Sequence, residues 1–211
     1  KNSNDLTQPS ILKMMAMGGE GTIIERLKQL HIVPLAISYE YDPCDYLKAR
    51  EYQLRRDLPY WKKTAEDDLE SMLVGIKGYK GHIFYKCAPC IDEWLDTVDE
   101  ELPKNKLFDT IAAHIDHQIH SNYKLYPINY VALDMIQDTR VYEEYYTVED
   151  YQNFNTYLDG QIEKIDIENR DDKFLRTCLL TQYAYPAKNY IAASSESGRF
   201  KSLLNRLTFK K

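Results

Sequence analysis

Apolar positions recur at helical spacing along most of the chain, and only twice does the pattern shorten to strand length. Ile11, Leu12, Met14, Met15 and Met17 predict a first helix, broken by Gly18-Gly19. Ile23, Ile24 and Leu27 predict a second, from Thr22 to about Leu30. Ile32-Val33-Pro34-Leu35-Ala36-Ile37 is short, apolar and rich in β-branched residues, the pattern of a strand buried on both faces. Pro34 has no N–H to give a ladder, so it is expected near the strand's start or at an edge. Helices are expected next from Cys44 to Arg56 and from Pro59 to Lys77, with Pro59 near the second helix's first turn. A turn at Gly78 to Gly81 leads to a second strand, His82-Ile83-Phe84-Tyr85-Lys86, which runs into Ala88-Pro89.

After Pro103 the pattern is helical throughout. Leu107, Ile111, Ala112, Ile115 and Ile119 form one stripe, and Tyr130 to Ile136, Val148 to Ile165 and Phe174 to Ala193 follow, with Pro186 expected to kink or end the last. The fold class predicted is α/β: a partial mixed sheet with flanking helices over residues 1–102, then a mainly helical region over residues 103–211. Two strands do not make an independently stable sheet, so the pattern is that of a piece of a larger α/β fold.

Composition narrows the function classes. The 211 residues are 44% hydrophobic and 28% charged, which suits a folded, not a disordered, chain. No apolar run nears the roughly 20 residues that span a bilayer. A net charge of −6 disfavours nucleic-acid binding, which needs excess Lys and Arg. Cys44, Cys87, Cys90 and Cys178 belong to a chain too large to depend on a disulfide framework, so reduced thiols and a cytoplasmic location are expected.

Leu30-His31-Ile32-Val33-Pro34-Leu35-Ala36-Ile37-Ser38-Tyr39-Glu40, with Tyr41-Asp42-Pro43 after it, resembles the fourth sequence block of the glycerolipid acyltransferase family, the glycerol-3-phosphate and lysophosphatidate acyltransferases. Gly78 to Pro89 resembles that family's later strand and proline turn. Lys1-Asn2-Ser3-Asn4-Asp5 resembles the tail of the third block, which binds the acceptor's phosphate. The resemblance covers roughly residues 1–90. It implies the C-terminal part of an enzyme that moves an acyl chain from coenzyme A or acyl carrier protein to glycerol 3-phosphate or lysophosphatidate, with no other cofactor and no metal. Lys1, Asn4, Asp5 and Pro34 are the implied substrate-binding residues. The family's catalytic His-x-x-x-x-Asp is missing. Five residues after His31, His82, His114, His117 and His120 stand Ala36, Cys87, Ile119, Asn122 and Leu125. No catalytic residue is therefore assigned, and the chain alone is expected to be inactive.

Other motifs carry alternatives. Cys87-Ala88-Pro89-Cys90 lies between a strand and a possible helix at Asp92, the setting of a thiol-disulfide oxidoreductase. It lacks the partner cis-proline strand, and packed structural thiols are the plainer expectation. A four-cysteine zinc site lacks a second close pair. His114, His117 and His120 share a helix, but the third drifts round it, which predicts a half-buried face. Glu20-Gly21-Thr22 reads as a turn with a Thr N-cap, not as the third block. Gly18-Gly19-Glu20-Gly21 lacks the preceding strand of a phosphate loop.

Between Tyr46 and Lys63 fall six cations (Lys48, Arg50, Arg55, Arg56, Lys62, Lys63) and four aromatic residues (Tyr46, Tyr52, Tyr60, Trp61), with Glu51 and Asp57 opposing. Residues 46–63 are thus a candidate for peripheral contact with a membrane or an anionic ligand. Eighteen tyrosines, crowded near Tyr142, Tyr145, Tyr146, Tyr151 and Tyr157, suit a packing interface or a partner surface. A non-catalytic helical interaction module over residues 103–211 is the remaining alternative.

Overall fold

A computed structural model describes the backbone of residues 6–208 and the side chains of residues 6–195. The chain is mainly helical, with 60% of residues in helices and one small antiparallel sheet. In chain order the elements are α1 (Pro9–Met15), α2 (Ile23–Lys28), β1 (Leu35–Tyr39), α3 (Asp45–Asp57), α4 (Ala65–Lys77), β2 (Ile83–Cys87), α5 (Asp92–Leu95), α6 (Lys104–His120), α7 (Pro127–Gln137), a 3-10 turn at Glu143–Tyr145, α8 (Val148–Glu163) and α9 (Asp172–Thr208).

Local chemistry sets most of these boundaries. Pro9 opens α1 at the position where its missing N–H costs nothing. Thr22, Thr64 and Thr147 each accept from the backbone three residues on, and Glu25, Asp67 and Asp150 return the bond, so α2, α4 and α8 begin at capping boxes. The cap at Thr64 moves the start of α4 five residues beyond Pro59, which lies in the exposed connection instead. Gly19 and Gly21, at φ 84° and 98°, turn the chain between α1 and α2. The turn before β2 needs Gly81 at φ 61°, where a Cβ would stand 2.4 Å from Glu40 Oε2.

The strand pair departs from the expected burial. β1 alternates: Ala36 and Ser38 are buried, while Leu35, Ile37 and Tyr39 are exposed. β2 is exposed along its whole length. β1 therefore has a covered side and a bare apolar one, and is not buried on both faces. Pro34 precedes the first strand residue, and its carbonyl accepts from Ala88 N at 2.8 Å. Its lack of an N–H thus costs no ladder bond.

The chain clusters into two compact units, each drawing on both sides of residue 102. One comprises residues 1–37, 85–123 and 189–211, and its core is Leu12, Ile24, Leu27, Ile91, Leu95, Phe108 and Ile111. There α1 packs on α6 and α2 on α5. The other comprises residues 38–84 and 124–188, with α8 packed on α3 and α7; Leu47, Val131, Phe154, Leu158, Leu175 and Leu179 are buried within it. In that unit α4 buries none of its residues, and Leu69, Met72, Leu73 and Ile76 line one exposed stripe.

Pro186 neither ends nor replaces α9, which continues to Thr208. A proline inside a helix frees acceptors in the preceding turn. Pro186 removes the bond to Gln182 O; one residue on, the Tyr183 carbonyl accepts from Asn129 Nδ2 at 2.9 Å, while Asn129 Oδ1 accepts from Tyr126 N at 2.8 Å to start α7. Asn129 is buried and serves both helices. Asn129→Ala removes both bonds, leaving Tyr126 N without its side-chain acceptor, and should cost about 1–3 kcal/mol. Urea denaturation should show a lowered midpoint with an unchanged slope; a change under about 0.5 kcal/mol would remove Asn129 from this role.

Candidate functional site

At one end of the strand pair, two backbone bonds align the turn after α2 with the turn after β2. Ile91 N donates to Ile32 O at 3.0 Å, and Ala88 N to Pro34 O at 2.8 Å. This register carries His31 to Asp92, with Nδ1 2.6 Å from Oδ2. A His31 ring nitrogen, Cys90 Sγ and an Asp92 carboxylate oxygen all lie within 4.8 Å of one another. His31 and the Cys90 thiol hold the Asp92 carboxyl below the usual carboxylate range, against the opposing effect of desolvation. Asp92 Oδ1 is shielded from solvent and accepts no hydrogen bond. His31 itself sits at φ 48°, a left-handed conformation uncommon for a side-chain-bearing residue. No spacing in the sequence signals this trio, because two turns some sixty residues apart supply it.

Of the substrate-binding residues implied by the resemblance, Pro34 lies at this end, buried, with its carbonyl on Ala88. Lys1, Asn4 and Asp5 lie outside the described residues. Cys87 is exposed at the end of β2, and Cys90 is half-buried. Burial raises the Cys44 and Cys178 thiols, the latter to about 11.

A second cluster lies in the other unit. Asp45, the first residue of α3, is fully buried. Its Oδ2 is 2.7 Å from the hydroxyls of both Tyr157 and Tyr183, which are 2.9 Å from each other; its Oδ1 accepts from Tyr46 N. Proton counting explains the ionisation of this triangle. With Asp45 ionised, two hydroxyl protons serve three short contacts. With Asp45 protonated, three protons serve three, and each group donates once. Burial pushes Asp45 up to about 6, against the downward pull of the two hydroxyls. Burial and the carboxylate raise both tyrosines well above the ordinary phenol range. Tyr157 also lines a groove of about 630 Å³, together with Tyr46, Tyr79 and Lys164.

Asp134, also buried, is saturated instead. It accepts from Thr139 Oγ1, Val141 N, Tyr142 N and Tyr146 Oη at 2.8–3.0 Å, and so ties down the tyrosine-rich segment after α7. Tyr146, desolvated and bonded to that carboxylate, is raised to about 12.

The histidines of α6 do not converge. His114 stacks on Trp94 at 3.7 Å, and His120 is buried with its Nε2 3.5 Å from Asn189 Nδ2. In the basic stretch, five of the six cations meet carboxylates: Lys48 with Asp42, Arg50 with Asp67 and Glu70, Arg55 with Glu51, Arg56 with Asp57 and Asp171, and Lys63 with Glu51 and Asp68. Arg56 also lies 4.0 Å over the Phe174 ring.

Among the described residues, no helix is long and apolar enough to cross a membrane. Comparison of the chain with protein-family models, with curated proteins and with solved structures finds no match.

The Asp45 cluster makes stability depend on pH with a definite sign. The folded carboxyl titrates near 6 and the unfolded one near 3.8. The folded state therefore binds the extra proton between these values, and the group's contribution falls as pH rises through that window. The full difference is roughly 3 kcal/mol at about 1.4 kcal/mol per pH unit. Exposed carboxylates with lowered values act oppositely, so the readout is the difference between variants. Asp45→Asn should flatten the pH 4–7 stability curve relative to the parent, and Tyr157→Phe should steepen it by removing a donor to the carboxylate. Parallel curves for all three proteins would refute a titrating Asp45. A separate labelling prediction concerns the thiols: at pH 7 a maleimide should modify Cys87 well before Cys178, and equal rates by peptide mass analysis would contradict the difference in exposure and ionisation.

Proposed function

We propose that this chain is the C-terminal part of a glycerolipid acyltransferase, contributing sheet strands and a helical region to a polypeptide whose general base lies elsewhere. The observation that carries this reading is the bare side of the strand pair. Leu35, Ile37 and Tyr39 are 42%, 40% and 39% exposed, and Ile83 and Tyr85, opposite Tyr39 and Ile37, are 45% and 57% exposed. A two-stranded ribbon with this much uncovered apolar surface does not hold itself together well. Neighbouring strands and helices of an acyltransferase sheet would complete it. The segment that resembles the family, Leu30 to Glu40, includes β1, with Val33-Pro34 just before its first residue.

In this reading the acyl donor is a thioester of coenzyme A or acyl carrier protein, and the acceptor is glycerol 3-phosphate or lysophosphatidate. Lys1, Asn4, Asp5 and Pro34 are the substrate-binding residues of this reading. Any peripheral membrane contact on the cytoplasmic side centres on Tyr60, Trp61 and Lys62, because the surrounding cations are paired. Tyr60 is 95% exposed at this loop.

The purified chain should transfer no acyl group from an acyl thioester to either acceptor above the blank rate. Loss of a general base alone typically costs 10²–10⁴-fold. Joined to an N-terminal segment carrying the family's His-x-x-x-x-Asp, it should support transfer, and Ile37→Lys with Ile83→Lys should abolish it. Turnover by the chain alone would sink the reading. So would full activity of the joined protein carrying both charged substitutions.

A further inference from the structure

We propose that His31, Cys90 and Asp92 form a binding site for a divalent cation of the zinc type, clamping the turn after α2 to the turn after β2. The donor set is an imidazole nitrogen, a thiolate sulfur and a carboxylate oxygen, the mixture that zinc accepts and that calcium or magnesium, with their all-oxygen shells, do not.

The spacing is close to what coordination needs. Bonds of about 2.0–2.3 Å at tetrahedral angles hold donor atoms roughly 3.3–3.8 Å apart. The three donor atoms already lie within 4.8 Å of one another, with His31 Nδ1 and Asp92 Oδ2 at 2.6 Å. The adjustment is therefore side-chain rotation: the imidazole withdraws by under an ångström or so and the sulfur closes in. His31 has room for this, since its side chain is 78% exposed. The backbone needs no rearrangement, because the bonds Ile91 N to Ile32 O and Ala88 N to Pro34 O already flank the donors.

One feature is left over by the bland account, in which His31 and Asp92 form a surface ion pair with a thiol beside it. The ion pair uses Oδ2 but leaves Oδ1 shielded from solvent without a donor, and buried acceptors are seldom left so. A cation on the carboxylate accounts for it. The left-handed backbone of His31 belongs to the chain reversal that ends α2, and it turns the imidazole toward Asp92.

The charges balance. Neutral His31, ionised Asp92 and a Cys90 thiolate sum to −2 against the ion's +2, and binding releases the thiol proton to solvent. The nearest described cation, Lys28, is engaged with Asp96. Three protein donors leave a fourth position for water. Cys87 stands outside the trio, so this site does not use the Cys-x-x-Cys pair as such.

The test is titration of the full chain, metal-free and reduced with a phosphine, by Co²⁺. The expected result is one equivalent bound, with a thiolate-to-cobalt band in the near ultraviolet and tetrahedral bands in the visible, both erased by Zn²⁺. Cys90→Ala should abolish the sulfur band. His31→Ala and Asp92→Ala should each weaken binding tenfold or more, and Cys87→Ala should change it less than threefold. Zn²⁺ should raise the melting temperature of the parent but not of Cys90→Ala; all variants should keep the parent's far-ultraviolet circular dichroism. Absence of a sulfur–cobalt band in the folded parent overturns the proposal. So does a band that survives Cys90→Ala or His31→Ala, or one that requires Cys87. None of these readouts depends on acyl transfer, so this site and the acyltransferase reading stand or fall separately.

Discussion

The antiparallel register between residues 32–41 and 80–91 is the constraint on which the rest of the arrangement depends. Its ladder extends beyond the strands themselves, from Ile91 on Ile32 to Tyr41 N on Lys80 O at 3.0 Å. Closing a chain segment of this length is entropically inexpensive, because the cost grows only with the logarithm of length. A histidine–carboxylate contact finishes each end: His31 on Asp92 at one, and His82 Nδ1 on Glu40 Oε2, 2.7 Å, at the other. A slip by one residue would turn Ala36 and Ser38 outward and break both contacts at once. Register, burial and the donor cluster are thus one decision, made by the pairing of two five-residue strands.

How much of this could be read from the residues alone depended on whether the cause was local. Thr22, Thr64 and Thr147 announce helix starts because a cap is a three-residue device. The stripe from Leu107 to Ile119 gives α6 for the same reason: periodicity is local. Pro59 misled because proline permits a helix start without compelling one, and the Thr64–Asp67 box was the stronger signal. Pro186 does not end α9, because packing of the whole helix outweighs one lost backbone bond, and that packing is not visible in the local sequence. Isolated polar residues such as Asp45, Tyr157 and Tyr183 carry no spacing at all, and neither do His31 and Asp92.

The basic stretch shows the same limit in electrostatics. Counted along the chain, six cations face Glu51 and Asp57. In the fold, Asp42, Asp67, Asp68, Glu70 and Asp171 are brought in by the segments before and after α3 and by the start of α9. A charge run in sequence is a statement about supply, not about what remains uncompensated once the chain has folded. Exposed pairs of this kind contribute little stability each, but together they erase most of a patch that would otherwise steer anions. The Asp45 triangle is the converse: burial pushes its carboxyl up to about 6, and what opposes that rise is first the two tyrosine hydroxyls, not a cation.

The stripe on α4 has a cellular consequence. Leu69, Met72, Leu73 and Ile76 follow one another at helical spacing on a helix held to α3 by polar contacts such as Arg50 to Asp67 and Cys44 Sγ to Ser71 O. Bare aliphatic rows of this kind are what holdase chaperones and degradative proteases read as unfinished folding. A copy of the chain with that row uncovered carries its own mark for triage. Its lifetime would then depend on how soon the row is hidden as well as on unfolding.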